Sequence, residues 1–143
     1  MGSCCLIGPY AHLRAGTEID DFVKIGNFCE IKNAEIGKNT KISHLAYVGD
    51  AKVGSCCNIG CGAIFVNYNG KFKSKTIVED GAFIGSNVNL IAPVKVGSGA
   101  YICAGSTIDK DVEPDDFVIG RVRAEIKKGR AKKYLDKKTD DLT

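Results

Sequence analysis

An aliphatic side chain returns at every sixth position over most of this chain. The spacing shortens by one residue on two occasions, pauses between Phe65 and Val78, and then continues without a slip. Glycine often follows the aliphatic anchor, and a small or β-branched residue lies four positions after it. An α-helix repeats near 3.6 residues and an exposed strand near two, so neither accounts for a sustained period of six. The anchors are Ile7, Leu13, Ile19, Ile25, Ile31, Ile36, Ile42, Val48, Val53, Ile59, Phe65, Val78, Ile84, Leu90, Val96, Ile102 and Ile108.

The six-residue period predicts an all-β fold, a parallel β-helix in which three hexads form one triangular coil. About six coils stack, because a single coil cannot bury its own apolar side chains. The coils are predicted at 7-13-19, 25-31-36, 42-48-53, 59-65-72, 78-84-90 and 96-102-108. The chain is then divided into a β-helix domain over 1–120, with an extruded loop over 67–75, and a basic C-terminal arm or helix over 121–143.

Composition narrows the class of protein. The chain has 143 residues, of which 44% are hydrophobic and 26% charged, as in a single globular domain. Its net charge of +3 does not indicate nucleic acid as a partner. The sequence has no signal peptide and no apolar run near the ~20 residues that cross a bilayer, so we expect a cytoplasmic protein without a membrane partner. Cys5, Cys29 and Cys57 fall at small interior positions, and reduced thiols are expected rather than a disulfide framework.

Each triangular coil contributes one hexad to each of three walls, and the predicted register stacks polar side chains along the wall formed by the second hexad of every coil, called the second wall. Arg14 and Lys32 each follow an anchor by one position in consecutive coils, so the two cations lie one strand apart and could hold an anion. Asn67, Ser86 and Ala104 each follow an anchor by two, which predicts a groove parallel to the helix axis. The anchors assigned to this wall are Leu13, Ile31, Val48, Phe65, Ile84 and Ile102.

Three further features carry open interpretations. His44 is predicted on the neighbouring wall, between Asn27 below and Cys61 above, and a lone histidine is more often structural than catalytic. The 67–75 loop carries three lysines and two aromatic residues, which fits either a binding element or a solvated loop. The basic tail that begins near Pro114 is either a solvated terminus or an arm that reaches across a subunit boundary toward phosphates.

Several motifs together resemble one family. They are Ile7-Gly8-Pro9-Tyr10-Ala11, Leu13-Arg14, Gly26-Asn27-Phe28, Glu30-Ile31-Lys32, His44-Leu45-x-Tyr47-x-Gly49-Asp50-Ala51 and Asn67-Tyr68-x-Gly70. The chain, from about Ile7 to Val122, is similar to the acetyltransferase half of the bacterial bifunctional N-acetylglucosamine-1-phosphate uridyltransferase/glucosamine-1-phosphate acetyltransferases. The resemblance implies a left-handed β-helix and a homotrimer with active sites between subunits. The sequence departs from the family in one respect, because it has neither the Gly-rich nucleotide-binding motif nor the room for the family's N-terminal uridyltransferase domain. We therefore expect uridylyl transfer and its magnesium to be absent, whether the chain is a stand-alone acetyltransferase or a fragment of a bifunctional enzyme.

The resemblance assigns roles to particular residues. His44 is the general base, a task suited to an imidazole because its charge changes near neutral pH. The implied sugar-phosphate contacts are Arg14, Lys32, Tyr47, Asn58 and Lys73. The implied acetyl-CoA contacts are Cys61, Asn67, Tyr68, Ser86, Ala104 and Arg121. Cys61 stands where the family commonly has alanine and is not interpreted as a nucleophile; His12 keeps a structural interpretation, and acetyl transfer needs no metal.

The predicted function is therefore transfer of acetyl from acetyl-CoA to the amine of α-D-glucosamine 1-phosphate, a step toward UDP-N-acetylglucosamine and cell-wall precursors. One alternative is a hexapeptide acyltransferase with another acceptor, although the Arg14–Lys32 pair favours a phosphorylated one. A second is a non-catalytic trimerisation scaffold, which does not explain why His44, Asn67, Lys73 and Arg121 occur together. A β-helix carbonic anhydrase needs three metal-binding histidines, and the chain has two.

Overall fold

The computed structural model describes residues 1–135, which form short parallel strands and one short helix. The strands are β1 Leu6–Ile7, β2 His12–Leu13, β3 Glu18–Ile19, β4 Lys24–Asn27, β5 Glu30–Ile36, β6 Lys41–His44, β7 Tyr47–Val53, β8 Asn58–Ile59, β9 Ile64–Val66, β10 Thr76–Val78, β11 Phe83–Ile84, β12 Asn89–Ile91, β13 Val94–Val96, β14 Tyr101–Ile102, β15 Thr107–Ile108 and β16 Phe117–Val118; the helix is α1 Lys132–Leu135.

The strands stack into three parallel walls. The first wall has the order β1-β4-β6-β8-β11-β14-β16. The second and third walls are joined because β5 and β7 each run through both of them. Equivalent anchors pair directly from coil to coil, as Ile7 does with Ile25. The predicted parallel β-helix of about six triangular coils is confirmed.

The anchors fill the centre of the prism. Ile25, Ile31, Phe65, Ile84 and Leu90 are all fully buried, and each such side chain contributes roughly 1.5–3 kcal/mol relative to exposure. The small positions between them are buried too, including those of two cysteines. Burial raises the pKa of both thiols, which keeps them neutral in the core. The residues concerned are Cys29 and Cys57.

The 67–75 loop changes the register of every later coil. The chain leaves the second wall after Val66 and re-enters the prism at Thr76, where β10 pairs with the third-wall part of β7. The loop is therefore an insertion between two walls, and Phe72 is an exposed loop residue rather than an anchor. The last three coils are 59-65-78, 84-90-96 and 102-108-112. The predicted grouping of these coils was wrong.

The C-terminal segment leaves the prism after Gly120. The Gly120 amide donates to Ser106 Oγ and its carbonyl accepts from the Thr107 amide. Residues 121–135 are exposed, and the rest of the predicted 121–143 arm, with Lys137 and Lys138, lies outside the described residues. The division at residue 120 stays a prediction. Among residues 1–135 there is no helix long and apolar enough to cross a membrane.

Candidate active site

A line of side chains follows the corner between the first and second walls. We call Asn27, His44, Cys61, Ser86 and Ala104 the first-corner column, because each lies two positions after a first-wall anchor. Asn27 pairs with His44, and the anchors of the remaining members pair in the same register. His44 ends β6 and is exposed to solvent, which leaves its imidazole free to meet a ligand.

The backbones of neighbouring coils approach closely beside the first-corner column. A Cβ added to Gly85 would lie 2.5 Å from the Ala104 nitrogen, so this position tolerates only glycine. Above His44 the column carries a half-buried thiol at Cys61 and then only the small, exposed side chains of Ser86 and Ala104. These small groups leave a shallow track along the helix axis.

Arg121 closes the upper end of this track. Its Nη1 donates a hydrogen bond of 2.6 Å to the Ala104 carbonyl, so the first residue after the prism is tied back to the column. A guanidinium in this place can bind a phosphate through paired hydrogen bonds. The structure thus brings together His44, Cys61, Ser86, Ala104 and Arg121.

The predicted groove of Asn67, Ser86 and Ala104 does not form. Ile84 and Ile102 belong to the first wall and not to the second, since the loop insertion shifts the later coils. Ser86 and Ala104 consequently join the first-corner column, whereas Asn67 lies at the next corner, one coil above Asp50. The track along the first-corner column therefore begins at His44 itself.

Polar side chains meet at the corner between the second and third walls. We call Lys32, Asn33, Asp50, Asn67 and Lys73 the second-corner cluster. Asn33 Nδ2 donates to Asp50 Oδ1 at 2.7 Å, Asn67 Nδ2 donates to Asp50 Oδ2, and Lys32 Nζ lies 3.7 Å from the same Oδ2. The Asp50 side chain is 13% exposed and that of Lys32 20%, so this ion pair is mostly shielded from water.

The predicted stack of Arg14 and Lys32 is present, but neither cation is unpaired. Leu13 pairs with Ile31, which places the two basic residues in adjacent coils. Arg14 Nη1 forms a 2.7 Å ion pair with Glu30 Oε1, while Lys32 pairs with the Asp50 carboxylate. Each cation is thus held in place before an anion arrives.

Lys73 brings a second ammonium close to Lys32. The nearby Lys32 lowers the pKa of Lys73 by direct contact and by charge repulsion, whereas the Asp50 carboxylate raises it. Two neighbouring cations of this kind can bind a doubly charged anion such as a phosphate. Lys73 is supplied by the loop, so the loop completes the cluster.

The loop is a small hairpin beside this cluster. Tyr68 pairs with Lys73 in an antiparallel bridge, and Ser74 N donates to the Asn67 carbonyl. The Tyr68 hydroxyl donates to the Gly70 carbonyl at 2.7 Å, and its ring is exposed. A cleft of about 400 Å³ lies beneath the loop, and Asn33, Asp50 and Lys73 contribute to its lining.

Tyr47 joins the cluster from the second wall, whereas Asn58 does not. The Tyr47 hydroxyl accepts a 3.3 Å hydrogen bond from Asn67 Nδ2, and a Cβ on Gly49 would overlap that hydroxyl. Asn58 lies on the first wall, three residues before Cys61, and pairs with Lys41 and Phe83 in the adjacent strands. The predicted sugar-phosphate contacts are therefore divided between two faces of one protomer.

Asn33, Asp50 and Glu30 were not predicted as site residues. Asp50 and Glu30 lay within the motifs, and the register placed both beside predicted cations, so charge pairing along the stack could have identified them. Asn33 gave no signal beyond its place after Lys32.

His12, which kept a structural interpretation, is exposed on β2 beside Glu30 of the next coil. Within residues 1–135, no group of three or more His, Cys, Asp or Glu side chains is arranged to hold a metal ion.

Comparison with known proteins agrees with the repeat and with the motifs. Residues 75–110 match the family described as bacterial transferase hexapeptide (six repeats). The bifunctional protein GlmU of Caldicellulosiruptor saccharolyticus is 58% identical over 123 residues, which are 86% of this chain. That of Listeria monocytogenes is 54% identical over 132 residues, or 92% of this chain.

The chain is a hexapeptide-repeat domain of the GlmU type. It spans 27% of the length of the first relative and 29% of the second, so these GlmU proteins are much longer than the GlmU-type domain described here.

Solved structures share the fold of this GlmU-type domain at low sequence identity. A perosamine N-acetyltransferase mutant from Caulobacter crescentus, in complex with CoA and GDP-perosamine, superposes with a TM-score of 0.66 at 20% identity; it covers 84% of this chain and 58% of its own. The acetyltransferase domain of PglB from Neisseria gonorrhoeae, in complex with acetyl coenzyme A, gives a TM-score of 0.70 at 19% identity, with coverage of 78% and 52%.

Proposed function

We propose that this GlmU-type domain transfers acetyl from acetyl-CoA to the amine of α-D-glucosamine 1-phosphate. The observation that carries the proposal is the first-corner column, in which an exposed histidine opens onto a track of small side chains that ends at Arg121. An extended acyl donor fits such a track, with its thioester near His44 and a phosphate near Arg121. The structural neighbours in complex with CoA or acetyl coenzyme A support this use of the fold.

The second-corner cluster supports a phosphorylated acceptor. Lys32 and Lys73 lie close enough to shift the pKa of Lys73, and Arg14 lies one coil below Lys32. Three cations around one corner suit a phosphate dianion, since charge-assisted hydrogen bonds are stronger than neutral ones. Tyr47 and Asn58 are the remaining proposed sugar contacts, and Asn67 and Tyr68 the proposed donor contacts from the loop.

His44 acts as the general base in the proposed reaction. Its imidazole accepts a proton from the acceptor nitrogen as that nitrogen attacks the acetyl carbonyl carbon. A C–N bond forms, the C–S bond of the thioester breaks, and the CoA sulfur leaves as a thiolate that takes up a proton. The reaction passes through no acyl-enzyme, and Cys61 contributes packing along the track rather than a nucleophile.

A complete site needs more than one protomer, and we propose a homotrimer. Glucosamine 1-phosphate carries its amine and phosphate on adjacent carbons, whereas His44 and the second-corner cluster lie at opposite ends of the second wall. Tyr47 and Asp50, at the two ends of that wall, are separated by about 10 Å of extended strand. A trimer that sets the first corner of one protomer against the second corner of the next would close this gap. The cytoplasmic location stays a prediction.

An assay of CoA release tests the proposed function. Acetyl-CoA turnover should depend on glucosamine 1-phosphate, and the product should carry the acetyl group on nitrogen. Glucosamine without the phosphate serves as the control and should react far more slowly, because it has nothing for Lys32 and Lys73 to bind. Acetylation of other amines but not of glucosamine 1-phosphate would favour the alternative acceptor, and no acetyl transfer to any amine would favour the scaffold.

A further inference from the structure

Asp50 lies at the centre of the second-corner cluster, and neither composition nor motif spacing explains its conformation. Its φ of 49° is in the left-handed region, where Asp and Asn are tolerated better than most residues. Asn33, one coil below, has the same conformation with φ of 46°. The two turns align their side chains along the corner, which lets Asn33 reach the Asp50 carboxylate.

The Asp50 carboxylate fixes the orientation of Asn67. An ionised carboxylate only accepts hydrogen bonds, so the amide of Asn67 must present its nitrogen to Asp50. The same nitrogen also donates to the Tyr47 hydroxyl. The carbonyl oxygen of Asn67 is then the group left to accept a hydrogen bond from a ligand, and Asn67 itself is only 9% exposed.

The same carboxylate forms an ion pair with Lys32 and also acts on the charge of Lys73. Burial would raise the pKa of Asp50, but hydrogen bonds from Asn33 and Asn67 and the charges of Lys32 and Lys73 lower it overall. Asp50 is therefore ionised at neutral pH. Without its charge, Lys32 and Lys73 would repel each other unopposed, and the two ammonium groups would move apart.

We propose that Asp50 is a positioning residue that couples the acceptor cations Lys32 and Lys73 to the donor-side amide of Asn67. The inference rests on the proposed function, because it takes the cations as phosphate contacts and Asn67 as a contact to the acyl donor. It adds that one carboxylate, which touches neither substrate, sets the geometry for both.

Kinetics of Asp50→Asn test this role. The variant keeps the side-chain shape and removes the charge, so the KM for glucosamine 1-phosphate should rise about tenfold, and that for acetyl-CoA should rise as well. Glu79→Gln is the matched control, since it removes the same charge but Glu79 pairs with Lys95 and lies away from the cluster and its cleft. Its KM values should stay at those of the wild type.

A structural role alone gives a different result. If Asp50→Asn lowers the melting temperature while both KM values stay unchanged, the coupling is contradicted. A rise in the acceptor KM alone would contradict the link to Asn67.

A titration of Lys73 tests the coupling without turnover. The negative charge of Asp50 raises the pKa of Lys73, so Asp50→Asn should lower that pKa further, as measured by NMR on the side-chain ammonium. An unchanged titration overturns the inference. If the Lys73 pKa falls in Asp50→Asn but the wild type shows no acetyl transfer, the proposed function fails while the electrostatic link between Asp50 and Lys73 stands.

Discussion

The two corners of the prism have the same backbone arrangement but differ in the side chains that they carry. The first-corner column has few side-chain contacts, and its shape comes from glycine, alanine and serine on closely stacked coils. The second-corner cluster is held by hydrogen bonds and ion pairs that converge on Asp50. A β-helix can therefore present an open track where small residues occupy one corner and a charged cluster where polar side chains pair at the next.

Loss of His44 should have the largest effect. His44→Ala removes the proposed general base, and turnover should fall by about 10²–10⁴-fold because proton removal then relies on water. The exposed side chain contributes nothing to the buried core, so the melting temperature and the oligomeric state should match the wild type. Steady-state kinetics and sedimentation give the two readouts. Undiminished turnover in this variant would remove His44 from the mechanism.

Blocking the track should affect the donor and not the acceptor. Ala104→Leu places a branched side chain in the first-corner column, so the KM for acetyl-CoA should rise about tenfold, a cost of roughly 1.4 kcal/mol. Lys110→Leu is the control, because it adds the same side chain in the same coil at the second corner. An equal rise in the acetyl-CoA KM in both variants would contradict donor binding along the track.

Removal of one cation should affect the acceptor and not the donor. Lys73→Met keeps most of the side-chain length but removes the charge, and the KM for glucosamine 1-phosphate should rise by about tenfold at low salt. Lys73 is exposed, so added salt screens its charge, and the difference between variant and wild type should shrink as ionic strength rises. A salt-independent difference would point to packing instead of charge.

The smallest predicted effect concerns the core that both corners share. The Thr76 hydroxyl is buried and has no hydrogen-bond partner within residues 1–135, so Thr76→Val should raise the free energy of unfolding by about 1 kcal/mol. Thr40→Val is the matched opposite, because the Thr40 hydroxyl donates to the Gly54 carbonyl and accepts from the Cys57 amide. Thr40→Val should lower the free energy of unfolding, because both hydrogen bonds are lost. Equal shifts in the two melting temperatures would contradict the difference between them.

The sequence predicted the fold because every coil must bury its anchors, so the period of six is imposed by the core. Ile25 and Ile31 could be assigned to their walls by counting alone. Counting failed after Phe65, since nothing in the spacing tells whether the 67–75 loop replaces a wall or is inserted between two walls. The backbone pairing of Thr76 with Ala51 settles that question.

The positions of candidate site residues were likewise predicted correctly before the loop and incorrectly after it. Lys32 and His44 precede the loop, and the register predicted their neighbours correctly. Ser86 follows the loop and was assigned to the wrong wall. Asp50 was missed because its importance comes from four side chains that converge in space, and those residues are spread from Lys32 to Lys73 along the chain.

We propose that the first corner of one protomer and the second corner of the next form one catalytic site. Mixed trimers of His44→Ala and Lys73→Met test this arrangement, after the two impaired variants are co-expressed, purified together and assayed at a glucosamine 1-phosphate concentration well below its KM. Some sites in such trimers combine an intact His44 with an intact Lys73, so acetyl transfer should recover well above the sum of the separate variants. Activity equal to that sum would contradict a catalytic site shared between protomers.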